Sequence, residues 1–166
     1  MNKKIGKTIL LLCIFLLLAA CKSETKEEPV SVIEETTEIT ETTEDMQMKL
    51  KIEVNGNVLY ADFFENSSAE AFRKKLEEGP LSVALEDYGS FEKVGDLPWS
   101  LETNDTRITT VPGDVILYQG RMITIYYSEN TWNFTYLARI PDVTKQSLLE
   151  ILGQGDVTVT FSLAKE

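Results

Sequence analysis

No histidine occurs among the 166 residues. That absence removes the Ser-His-Asp triad, the Cys-His nucleophile pair and every imidazole-ligated zinc centre. Cysteine is nearly as scarce, with two in the whole chain, Cys13 and Cys21. Beyond Cys21 there is no thiol, so disulfides, thiolate zinc sites and CxxC redox chemistry are excluded, and stability has to come from packing. Positive charge is short as well: 16 Lys+Arg stand against 27 Asp+Glu, a net charge of -11. Polyphosphate binding needs a basic stripe, so this balance argues against a nucleic-acid partner. The length admits one domain.

What is present begins with an address. In residues 1–21, MNKKIGKTILLLCIFLLLAAC, Lys3, Lys4 and Lys7 precede an apolar run from Ile9 to Leu18 and the small pair Ala19-Ala20. The pattern is that of a secretory signal, shorter than the roughly 20 apolar residues a membrane-spanning helix needs. Leu18-Ala19-Ala20-Cys21 resembles the lipobox of bacterial lipoproteins, which implies cleavage before Cys21 and acylation of its thiol. More than one acyl chain, at about 0.8 kcal/mol per buried CH₂, holds a protein stably to a membrane. The expected location is therefore the extracytoplasmic face of a bacterial cell membrane, with the membrane as a partner through the lipid. The alternative is a plain secretion signal cut at an Ala-x-Ala-like site.

Residues 22–45 carry eight Glu and one Asp against two Lys, with six Thr and no aromatic or Gly. Such a segment buries too little apolar surface to offset its ordering entropy, and its self-repulsion extends it. It reads as a disordered acidic tether. Residues 46–166 form the domain proper, with 18 acidic and 11 basic residues and hence a net charge of -7.

Within that domain, Met48 to Val54 alternates with period two, and Asn55-Gly56 separates it from a second run ending at Phe64. Asn-Gly supplies the two positive φ values of a type I′ turn. The register that follows pairs Ile52 with Leu59, Leu50 with Ala61 and Met48 with Phe63 on one face, and Lys49 with Asp62 and Lys51 with Tyr60 on the other. Asn66-Ser67-Ser68 offers N-caps, Ser67 with Glu70 has capping-box spacing, and Ala69, Phe72 and Leu76 recur at helical intervals before Gly79-Pro80. Leu81 to Leu85 alternates. Asp87 to Thr106 shows no clear period and reads as a functional loop or as strands hidden from periodicity. Val115–Gln119 and Met122–Tyr127 predict strands around a type II′ turn at Gly120-Arg121. Ile116, Tyr118, Ile123 and Ile125 are expected on one face, and Val115, Leu117, Met122 and Tyr126 on the other. Trp132 to Ile140 predicts another strand, 141–152 a helix, and Val157 to Leu163 a half-buried final strand. Many strands and two helices imply a mainly β fold, a closed antiparallel barrel of about eight strands capped by the helices.

Several segments then resemble the bacterial cyclophilin-like domain proteins. They are Asp87-Tyr88-Gly89-Ser90-Phe91-Glu92-Lys93-Val94-Gly95, Leu97-Pro98, Thr103-Asn104-Asp105, Thr109 to Gly120, Ser128 to Trp132 and Gly153 to Val157. The resemblance implies an eight-stranded barrel with a helix at each end, in families that include lipoprotein-anchored forms. True cyclophilins are peptidyl-prolyl isomerases that use a Phe-His-Arg segment, a Gln and an apolar proline pocket. This chain has no Phe-His-Arg, and its Gln119-Gly120 pair falls at a predicted hairpin tip, so no catalytic residue carries over.

The expected site is an aromatic-lined groove made of Tyr88, Phe91, Trp99, Trp132 and Tyr136 with Phe134, in which Gln119 or Arg107 fixes a carbonyl. The alternative for these rings is packing. Glu86, Asp87, Glu92, Asp96 and Asp105 read as solvated loop acids, and no metal site or cofactor is expected. The functional expectation is a lipid-anchored binding module without catalysis that takes a peptide segment or small ligand. A divergent peptidyl-prolyl isomerase acting on exported chains is the alternative, and a single-lobed solute receptor is a third reading.

Overall fold

The computed structural model describes residues 48–165, so the signal, lipidation and tether expectations lie outside the described residues. Asn55 and Gly56 both have positive φ, and they join β1 (Met48–Val54) to β2 (Asn57–Phe63). The register is the expected one at Leu50↔Ala61, Lys51↔Tyr60 and Ile52↔Leu59. Lys49 Nζ meets Asp62 Oδ1 at 2.6 Å across the pair. Helix α1 (Ser67–Glu77) follows, capped by Asn66, the first of the three candidates: its Oδ1 accepts from the Ala69 amide at 2.9 Å, so Ser67 opens the helix and the Ser67–Glu70 capping box does not form.

The chain continues through β3 (Leu81–Tyr88), β4 (Glu92–Asp96), β5 (Thr106–Thr109), β6 (Asp114–Tyr118), β7 (Met122–Tyr126), β8 (Thr131–Arg139), α2 (Lys145–Leu152) and β9 (Val157–Lys165). The sheet order is β2-β1-β9-β3-β4-β7-β6-β8-β5, antiparallel throughout, and β2 also pairs with β8. Eight strands thus close into a ring, and β5 hangs on the N-terminal half of β8. Strand β4 lies inside the stretch that carried no periodicity, β3 runs into its start as far as Tyr88, and β5 begins at its last residue, Thr106. Its remainder, 97–105, is strapped down: the Leu97 amide donates to the Arg121 carbonyl at 2.8 Å and the Leu101 amide to the Gly120 carbonyl at 2.7 Å.

Three further expectations are corrected. The β6–β7 turn has positive φ at Gln119 and Gly120, with the Arg121 amide donating to the Tyr118 carbonyl, so it is of the I′ rather than the II′ kind. That shift moves the register by one. Val115 pairs with Ile125 and Leu117 with Ile123, so these four share one face, while Ile116, Tyr118, Met122, Thr124 and Tyr126 share the other. Helix α2 starts four residues later than expected, at Lys145. Asp142 is left-handed (φ 54°), and the helix is capped at Thr144, whose hydroxyl accepts from Ser147 N while Ser147 Oγ accepts from Thr144 N.

Two apolar layers result. The interior holds Leu50, Ile52, Phe72, Leu85, Leu117, Ile123, Leu148 and Phe161, all fully buried, with both helices packed against it. Each such side chain is worth about 1.5–3 kcal/mol of burial. On the opposite face, Ile116, Tyr126 and Phe134 form a second, smaller cluster with Phe91, Ile108, Tyr118 and Tyr136 packed on it. Among the described residues no helix is long and apolar enough to cross a membrane.

Candidate functional site

The second cluster is the floor of a cavity of about 300 Å³ lined by Tyr88, Phe91, Glu92, Val94, Tyr118, Met122, Tyr126, Asn130, Trp132 and Phe134. Strand register explains the convergence. Tyr88 on β3 pairs with Glu92 on β4, and Glu92 pairs with Tyr126 on β7, so the three side chains form one row across three strands. Val94 adds the next row on the same face, and Met122 with Tyr118 the one after it. The rings run in an unbroken series. Tyr88 meets Phe91 edge-on at 6.0 Å, Phe91 lies parallel to Tyr126 at 6.1 Å, Tyr126 tilts against Phe134 at 5.5 Å, and Phe134 meets Tyr118 edge-on at 5.9 Å. Tyr88 and Trp132 stand at the rim, 62% and 56% exposed.

Glu92 is the residue that the sequence reading misplaced. It is no solvated loop acid but a strand residue only 8% exposed, inside an aromatic wall. Burial pushes its carboxyl above the usual carboxylate range, and a hydrogen bond from the Tyr126 hydroxyl offsets part of that. Burial first, and then Glu92, raise the Tyr126 phenol in turn. Asn130 Nδ2 donates to Tyr126 Oη at 3.5 Å from the loop side. Among the described residues, Glu92 Oε2 and Thr124 Oγ1 are the buried side-chain polar atoms without a hydrogen-bond partner. Thr124 pairs with Val94, so both unpaired atoms belong to the cavity-side face of β4 and β7. A buried polar group left unpaired is costly.

Of the expected groove residues, Tyr88, Phe91 and Trp132 line the cavity, and Phe134 joins them. The others go elsewhere. Trp99 turns inward and packs on the interior core, 6.0 Å from Phe72, because its loop is strapped to Arg121 and Gly120. Gln119 sits at the I′ turn, and Arg107 is exposed on β5 opposite Asn133. Tyr136 stacks on Phe64 at 4.3 Å under the Arg139 guanidinium, which lies 5.4 Å from each ring. Arg139 Nε in turn donates to the buried Asp114 at 2.6 Å.

Other acids are partnered within the fold. Lys93 is fully buried and donates to Asp87 Oδ2 at 2.7 Å and to the Gly155 carbonyl at 2.6 Å. That hydrogen bond, and a second from Tyr127 at 2.6 Å, hold the Asp87 carboxyl below the usual carboxylate range. Asp105 accepts from Thr135 at 2.6 Å. Among the described residues, no group of three His, Cys, Asp or Glu side chains could hold a metal ion. The cavity can therefore offer π faces, one poorly hydrated carboxyl, the Asn130 carboxamide and the hydroxyls of Tyr88, Tyr118 and Tyr126.

No curated protein matches this sequence. The fold is similar to the solution structure of a hypothetical protein from Archaeoglobus fulgidus. The TM-score is 0.54 at 16% identity, covering 72% of this chain and 96% of that one. Residues 52–162 match the model of the cyclophilin-like family, which spans the ring from β1 to β9. The chain belongs to the cyclophilin-like family.

Proposed function

We propose that this chain is a lipid-anchored, extracytoplasmic binding module that holds a peptide segment or small ligand in its aromatic cavity without chemically changing it. The observation that carries the reading is the cavity itself: six aromatic side chains around about 300 Å³, two of them exposed at the rim, over a buried acid. Concave, largely apolar sites with a few placed polar groups are how proteins take up small ligands. No arginine is among the lining residues, which favours binding over isomerisation by an arginine donor. The anchoring half rests on the lipobox-like Leu18-Ala19-Ala20-Cys21.

Two measurements test it. Trp132 emission in a Trp99→Phe background reports on the rim, since these are the only two tryptophans. A saturable change on adding a panel of short exported-protein peptides and small amines is expected, while a protease-coupled assay on a Xaa-Pro peptide shows no acceleration. Acceleration that Glu92→Gln or Tyr126→Phe abolishes would replace this reading with a divergent isomerase. For the anchor, cells fed labelled palmitate should label the native chain and not Cys21→Ala. Unlabelled native protein in the medium would remove the anchor.

A further inference from the structure

We propose that the cavity recognises an alkylammonium cation, with the rings of Tyr88, Phe91, Tyr126 and Trp132 against its carbons and Glu92 as its counter-charge. This rests on the binding reading above and names the ligand's chemistry. The cavity has one sign. Among its ten lining residues Glu92 is the single carboxyl, and neither Lys nor Arg is present. Six of the ten are aromatic, and each ring face adds partial negative potential. An anion is repelled by every one of these features, and a neutral apolar group leaves Glu92 Oε2 unpaired. A cation uses the faces and the carboxyl together.

The same chain shows the pattern twice with its own cations. Lys93 sits 2.7 Å from the Asp87 carboxylate and 5.8 Å from the centre of the Tyr127 ring. Arg139 sits 2.6 Å from Asp114 and 5.4 Å from both Phe64 and Tyr136. In each case one cation serves a carboxylate and aromatic faces at once. The cavity repeats the carboxyl and the rings, and here the cation comes from outside the chain. Uptake then favours ionised Glu92, so affinity rises with pH through that titration. The ionisable groups facing Glu92 are Tyr88 and Glu86 from β3, Tyr126 from β7 and Tyr118 from β6. Burial raises the Tyr126 phenol further from that range, and Glu86 is exposed at the edge of the same face.

The test titrates the full chain in detergent micelles, reading Trp132 emission in the Trp99→Phe background. The probes are tetramethylammonium, choline, N-acetyl-lysine methylamide, the neutral choline isostere 3,3-dimethylbutanol and N-acetyl-proline methylamide. The cations should saturate the signal at concentrations at least tenfold below the neutral isostere. Glu92→Gln should remove most of that preference, and Tyr88→Leu, which removes an exposed rim ring, should weaken the cations more than the neutral isostere. Choline binding ahead of the lysine amide would point to a free or lipid-borne quaternary amine, and the reverse order to a lysine side chain. Equal binding of the isostere or the proline amide overturns the cation while leaving a binding module. No response to any probe overturns both.

Discussion

Glu92 is where reading by residue type reaches its limit. Acids in an aperiodic stretch are usually solvated, and Glu86 and Asp96 in the same region are exposed. Glu92 differs because its row-mates are Tyr88 and Tyr126, a fact that exists only once three strands are in register. The aromatics Tyr88, Phe91 and Trp132 were legible because ring-rich loops imply a groove. Trp99 was not, since two backbone hydrogen bonds decide that its loop faces inward. The burial of Glu92 makes a prediction with a fixed sign. Its folded carboxyl titrates above its ordinary value of about 4.3, so the folded state binds the extra proton. Stability is therefore lost as pH rises from that value through the folded titration, and the loss is complete above it. Glu92→Gln lacks this dependence. Urea unfolding should show the variant gaining on the native chain as pH rises through that titration. A difference that stays flat with pH would mean the carboxyl is satisfied in the folded protein.

Elements were legible where pattern and turn chemistry agreed. The β1–β2 hairpin had both, and its register was readable to the residue. Strand β4 had neither. Its sequence Glu-Lys-Val-Gly-Asp inverts the usual code, because Lys93 points into the ring and is paired there while Glu92 faces the cavity. Strand β5 is four residues long and mostly exposed, too short to show a period. The β3–β4 turn that makes both strands possible depends on Gly89. It has φ +63°, and a Cβ there would lie 2.2 Å from Phe91 Cε1. Gly89→Ala is expected to cost about 1 kcal/mol from the backbone alone. It should also displace the Phe91 ring and so alter the ring-shifted NMR signals of Tyr126 and Tyr88. A variant with native stability and unshifted signals would show that the ring can move away without disturbing the cavity.

At the scale of the whole molecule, the expectation of a closed β fold with two helices matches the ring of strands, because a chain this rich in β-formers has to dispose of its edges. Where the ring closes was not legible. The seam between β2 and β8 consists of the pairs Asp62↔Arg139 and Phe63↔Ala138, distant in sequence and without any local signal. It is also the thinnest junction, against six register positions between β1 and β9. Hydrogen exchange should find the Phe64 amide, which donates to the Leu137 carbonyl across that seam, less protected than the amides of Leu50 and Ile52. Equal protection would mean the ring opens only by global unfolding. Strand β1 bears on mechanics. It is gripped along its length by β2 on one side and β9 on the other, and it is the first described strand after the proposed tether. Tension between a membrane-held N-terminus and a captured load would pull β1 lengthwise, straining its hydrogen bonds in shear, all together rather than one by one. The handle by which the domain would be held is thus the strand best built to resist being drawn out.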